Sequence, residues 1–141
     1  MTWKNSKRKL TGRPTLNCKQ EWGISINKRK TGFEYEKQAL EYLQNNGYII
    51  VCTNFYCRRG EIDIIAKDGE YLVFVEVKYR KSLKYGYPQE AVSVNKQKRI
   101  IMSAVYYCMK NNIPADTPVR FDVVAVLDKD ITLLKNAFEL Q

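Results

Sequence analysis

The run Tyr71-Leu72-Val73-Phe74-Val75-Glu76-Val77-Lys78-Tyr79 has the apolar, β-branched character of an interior strand, yet it carries a carboxylate and an ammonium. Side chains alternate faces along a strand, so Leu72, Phe74, Glu76 and Lys78 share one face. Taking an unpaired charge out of water costs several kcal/mol, which a strand offsets only with a metal, a partner or a reaction. Two further acids are expected to point inward. Asp63 lies in the strand-like run Glu61-Ile62-Asp63-Ile64-Ile65-Ala66, and Glu36 lies on the apolar stripe of an early helix. Asp68-Gly69 is a two-residue hairpin signal that makes the runs around Asp63 and Glu76 antiparallel neighbours. Counting outward from that turn sets Asp63 opposite Phe74, on the face of Glu76 and Lys78, with Glu76 its diagonal neighbour. A one-residue slip would move Asp63 to the other face.

Carboxylates held close together repel unless a cation sits between them. Hard oxygen ligands suit Mg²⁺, with Mn²⁺ as a substitute, because such a site takes one or two carboxylates and keeps positions for water and phosphate. The ion acidifies a bound water and so makes a hydroxide available. A lysine two residues from a ligand can orient that water or stabilise charge developing on the phosphate. The chemistry that fits is phosphodiester hydrolysis. A second reading uses the same charges structurally: Lys78 answers Glu76 or Asp63 as a salt bridge within the sheet, and Glu36 stays half exposed. Spacing leaves both open, although four inward charges with an excess of acid are harder to neutralise internally.

The chain has no histidine, which excludes Ser-His-Asp and Cys-His catalysis and His-based metal sites. Its four cysteines, Cys18, Cys52, Cys57 and Cys108, form no CxxC pair. A disulfide framework or an all-cysteine zinc site is not expected from such scattered positions. Cys52 and Cys108 lie in apolar stretches and read as small hydrophobes.

The elements that must position the charges follow from periodicity. Phe33, Glu36, Ala39, Leu40 and Leu43 recur at helical spacing, so residues 33–46 are expected to form an amphipathic helix ended near Gly47. Tyr48 to Tyr56, Glu61 to Lys67 and Tyr71 to Tyr79 read as strands, and residues 80–90 as a loop. Asn95 is expected to cap a helix over 96–112, with Ile100, Ile101, Ala104, Val105 and Cys108 as its apolar stripe. Val119 to Leu127 and Ile131 to Lys135 complete the set. The order α-β-β-β-α-β-β implies an α/β fold with a mixed central sheet and helices on its faces.

A length of 141 residues suits one domain with a real core. The net charge of +9 is unevenly placed. Residues 1–31 hold nine Lys/Arg and one acid, whereas residues 32–141 hold fifteen bases and fourteen acids. Residues 1–31 therefore read as a basic, flexible arm, and residues 32–141 as the folded domain. Such an arm suits nucleic-acid phosphates or serves as a solubilising extension. No apolar run approaches the ~20 residues of a membrane span, and the basic N-terminus lacks a secretory apolar core, so no membrane is expected and a cytoplasmic location is.

The stretches Glu36-Lys37-Gln38-Ala39, Gly47-Tyr48, Asn54, Gly60-Glu61-Ile62-Asp63, Phe74-Val75-Glu76-Val77-Lys78, Lys96 and Arg120-Phe121-Asp122 together resemble the YraN-like bacterial proteins. These are predicted nucleases of the restriction-endonuclease-like fold, the PD-(D/E)xK superfamily, related to archaeal Holliday-junction resolvases. The resemblance implies a three-layer αβββαβ core. It implies that Asp63, Glu76 and the backbone carbonyl of Val77 bind the metal, that Lys78 is the catalytic lysine, and that Glu36 completes the acidic cluster. Glu61 would stand behind Asp63, or be a strand-end charge. Tyr35 departs from the family pattern, which often has glycine before the glutamate.

A basic band flanks the acids: Arg58 and Arg59 before them, Arg80, Lys81 and Lys84 after them, then Lys96, Lys98 and Arg99. Tyr79, Tyr85 and Tyr87 interleave with these charges. Lysine and arginine anchor phosphates, and tyrosines stack on unpaired bases; solvated loop charges are the bland alternative. Three functions fit these residues. The first is a Mg²⁺-dependent nuclease on DNA, on branched or single-stranded structures, for which a homodimer would serve both strands. The second is a non-catalytic nucleic-acid-binding module, and the third a structural or partner-binding protein.

Overall fold

Runs of β-branched and aromatic residues favour a pleated, half-buried surface, and in this chain they build one sheet. The computed structural model describes residues 16–17, 30–82, 84 and 92–139. The elements are β1 (Leu16–Asn17), α1 (Lys30–Asn45), β2 (Ile49–Cys57), β3 (Gly60–Asp68), β4 (Tyr71–Arg80), α2 (Val94–Lys110), β5 (Val119–Leu127) and β6 (Asp130–Phe138). From α1 onward this is the expected order. The strands form one mixed sheet in sequence order. β1–β2 and β4–β5 pair in parallel, and the remaining neighbours are antiparallel. Parallel neighbours need a crossover connection, and α2 lies within the one between β4 and β5. The short β1 falls inside the basic N-terminal segment; the rest of residues 1–29 lies outside the described residues, as do Tyr85 and Tyr87.

Two apolar clusters fix the helices to opposite faces. Ala39 and Leu43 of α1 pack with Ile64, Ala66, Val73, Val75, Val124 and Val126. Ile100, Ala104 and Tyr107 of α2 pack with Ile65, Leu72, Phe74, Phe121 and Val123. Phe74 is fully buried, meets Tyr107 edge-on at 5.8 Å and stacks on Phe121 at 5.7 Å. Burying such a side chain contributes about 1.5–3 kcal/mol.

The structure departs from the sequence reading at several points. Asp68 pairs with Tyr71, so the turn is Gly69-Glu70 rather than Asp68-Gly69, with Gly69 at φ +59°. Asp68 stays in the strand because its carboxylate accepts from Arg120 and Lys135. The register therefore differs by two residues, and Ile65, not Asp63, faces Phe74. Ser93, not Asn95, caps α2, its hydroxyl accepting from the Lys96 N–H at 3.3 Å. Val105 is exposed and Tyr107 buried, so the buried face of α2 is rotated from the expected stripe. The outer face leaves Met102, Val105, Tyr106 and Met109 exposed. Cys52 is disulfide-bonded rather than a plain small hydrophobe, while Cys57 and Cys108 are free thiols. Among the described residues no helix is long and apolar enough to cross a membrane.

Candidate active site

The β3–β4 ladder runs from Asp68↔Tyr71 to Ile64↔Val75 and stops there. Continuing the register by one step sets Asp63 across from Glu76. In place of the next ladder bond, the Asp63 carboxylate accepts the Val77 N–H at 2.9 Å. The cause lies partly in β2. Asn54 takes a φ of +53° between the pairs Thr53↔Ile64 and Phe55↔Ile62, which keep one register; the bulge of β2 lies between Ile50 and Cys52. Both Cys52 and Phe55, and both Ile62 and Ile65, then face α2, so strict alternation fails at Asn54 and Asp63. Five consecutive residues of β3, Ile62 to Ala66, are buried.

Glu76 is buried on the α2 face, with its side chain 4% exposed. The ammoniums of Lys78 and Lys96 both approach its Oε1, at 3.1 and 3.5 Å. Lys96, in the first turn of α2, also approaches Glu61 at 3.6 Å. Lys96 thus links Glu76 to Glu61, and Lys78 meets the same oxygen of Glu76. Glu76 Oε2 has no hydrogen-bond partner although it is buried. A buried carboxylate oxygen without a donor is costly, and a hard cation satisfies it.

Glu36 is half-buried on α1, the helix whose Ala39 and Leu43 pack on the other face of the sheet. Among the described residues no group of three or more Cys, Asp or Glu side chains is spaced to hold a metal. A site here would rest on two carboxylates and backbone. The basic residues fare differently. Arg58 and Arg59 form the β2–β3 turn, Arg80 and Lys81 lie at the end of β4, and Lys96 and Arg99 open α2. The antiparallel register of β3 and β4 brings all three segments to the end of the sheet where Glu76 and Lys78 sit. Gly60 lets the β2–β3 turn approach α2 closely, since a Cβ there would meet Arg99 Cβ and Ser103 Oγ at 3.3 Å. Tyr79 stacks on Tyr35 with ring centroids 3.5 Å apart, rather than standing open for a base. The hydrogen bond between the two pushes the Tyr35 hydroxyl up to about 12.

A second charged cluster lies at the other end of the sheet. Asp122 is fully buried. It accepts from Arg120 Nε at 2.8 Å, Arg120 Nη2 at 2.9 Å, the Tyr48 hydroxyl at 2.9 Å and the Asn136 N–H at 3.0 Å. Arg120 also reaches Asp68 at 2.7 Å, and Lys135 reaches it at 2.9 Å. Burial, then Asp122, raise the Tyr48 hydroxyl above its ordinary value; the bond to Asp122 does the same for Arg120. Of these residues Arg120, Asp122 and Tyr48 lie in the stretches that carry the family resemblance, while Asp68 and Lys135 were not foreseen in a cluster with them. Here every oxygen of the buried acid is satisfied, in contrast to Glu76.

The model of the uncharacterised protein family UPF0102 matches residues 35–126, from α1 to the end of β5. This chain belongs to that family. A UPF0102 protein of Lachnoclostridium phytofermentans is 49% identical over 114 residues, covering 81% of this chain and 97% of the relative. One of Acetivibrio thermocellus is 49% identical over 126 residues, covering 82% and 96%. One of Clostridioides difficile is 47% identical over 115 residues, covering 80% and 100%. The part matched to UPF0102 contains every acid and lysine of the candidate site.

Proposed function

We propose that this protein is a divalent-metal-dependent endonuclease of the restriction-endonuclease-like, PD-(D/E)xK type, akin to archaeal Holliday-junction resolvases and acting in the cytoplasm. DNA is its favoured substrate, in branched or single-stranded form. The observation that carries this reading is Glu76, buried with one oxygen facing two ammoniums and the other without a partner, across from Asp63. Asp63, Glu76 and the Val77 carbonyl would hold Mg²⁺ or Mn²⁺. When bound, such an ion supplies Lewis acidity toward a phosphate and an activated water. Lys78 would orient the water or meet charge developing on the phosphate. Glu36 would add negative charge from α1. Arg58, Arg59, Arg80, Lys81, Lys96 and Arg99 would anchor phosphates along the strand, and a homodimer would present two sites to a branched substrate.

The test is a cleavage assay over branched, single-stranded and duplex DNA and RNA with Mg²⁺, Mn²⁺ and no metal. Cleavage is expected only with metal, and Lys78→Ala and Asp63→Ala are expected to lower it by about 10²-fold or more while circular dichroism stays native. Undiminished cleavage in both variants sinks the reading. A second reading is favoured by the lysines already paired with Glu76: a non-catalytic nucleic-acid-binding module on the same fold. It predicts salt-sensitive binding with no cleavage in any divalent metal.

A further inference from the structure

Lys96 stands in a place that local physics disfavours. The first turn of a helix attracts anions and repels cations, yet α2 has no acid there and holds an ammonium. That ammonium is not directed to solvent. It lies 3.5 Å from Glu76 and 3.6 Å from Glu61, with a quarter of its side chain exposed. It shares Glu76 Oε1 with Lys78, although one ammonium would already neutralise that carboxylate, while Oε2 is left without any donor.

We infer that Lys96 is a resident counter-ion of the metal site: it holds Glu76 when no metal is bound, and yields it to a divalent cation by shifting its charge onto Glu61. The inference rests on the metal reading above. Two positive groups cannot approach one carboxylate without repelling each other, and the repulsion falls with distance. Glu61 offers the ammonium a second carboxylate within reach, so the exchange needs a side-chain movement and no change in the helix. Lys96 is thus a positioning residue that sets how tightly the ion binds, and Glu61 determines how readily Lys96 gives way.

Titration of the full chain with Mn²⁺ alone, followed by loss of the free-ion electron paramagnetic resonance signal, reads this without any activity. Lys96→Met is expected to tighten Mn²⁺ binding by about fivefold to tenfold, and Lys96→Arg to leave it near that of the parent. Glu61→Gln is expected to weaken it severalfold, because the ammonium then leans wholly on Glu76. In the Lys96→Met background the same Glu61→Gln change is expected to do little, a non-additivity that marks coupling. Lys96→Gln gives a second removal of the charge, and thermal unfolding of each variant separates lost folding from altered affinity. Unchanged or weaker binding in folded Lys96→Met and Lys96→Gln overturns the inference, as does an equal Glu61→Gln effect in both backgrounds, which would make Glu61 a ligand. No Mn²⁺ binding by the parent overturns the metal reading itself and this inference with it.

Discussion

Asp63 stands where the β3–β4 ladder stops, and its carboxylate takes the Val77 N–H. Its role in the fold can therefore be separated from its charge. Asp63→Asn keeps an oxygen acceptor for that N–H, whereas Asp63→Ala leaves it with none, at a cost of about 1–3 kcal/mol. Urea unfolding is expected to show the larger loss in the alanine variant, with faster hydrogen exchange at the Val77 amide; equal losses in the two variants would refute this role. The charges of Glu76 and Lys78 were legible in the sequence because ionised groups are rare in an apolar strand. The environment of Asp63 was less legible, because alternation along β3 breaks between Ile62 and Ile65. The expected register was off by two residues, and a parity argument does not reach past that break. The double pairing of Lys96 was not legible, because it depends on how α2 docks against β3 and β4. Nor was the side on which Glu36 sits, since helical spacing shows that a residue faces a sheet without showing which face.

At the scale of elements, periodicity placed the helices and strands from α1 onward in the right order; it missed β1, turned the buried face of α2, and misplaced some ends. The hairpin moved by one residue because Asp68 is held by β5 and β6 through Arg120 and Lys135, a contact that turn chemistry between neighbours cannot reveal. The cap of α2 moved from Asn95 to Ser93 because both residue types cap well, and only the docked helix selects one. Asp122 is the clearest tie between elements: its carboxylate accepts from Arg120 on its own strand β5, from Tyr48 just before β2 and from Asn136 of β6. Removing it takes the acceptor from the Tyr48 hydroxyl and from Arg120 Nε, and leaves Arg120 with Asp68 and Tyr48 alone. Asp122→Ala is expected to cost about 3–5 kcal/mol, measured as a fall in the urea midpoint; a loss below 1 kcal/mol, roughly that of a surface ion pair, would contradict the account.

For the whole molecule, the absence of histidine removes the side chain whose ordinary titration lies between pH 5 and 8, so the acid limb is set by carboxylates. The bonds from Arg120 and then Lys135 hold the Asp68 carboxyl below its ordinary value. A depressed folded-state pKa adds stability that is fully present above the unfolded value of about 3.9 and is lost as pH falls through the folded value. Urea midpoints recorded from pH 7 down to pH 2 are expected to fall below about pH 4 in the parent and less steeply in Asp68→Asn; identical acid limbs would show that Asp68 has no part in it. The outermost strand carries a different consequence. Among the described residues β6 has β5 as its only neighbour, its pairing is broken between Phe121 and Val123, and Asn136 turns its backbone to a φ of +51° beside the ammonium of Lys135. A chain arriving to extend the sheet would find hydrogen-bonding groups rotated out of line and a charge against it, the devices by which sheet borders resist accretion. Concentrated protein is therefore not expected to grow into fibrils from this border.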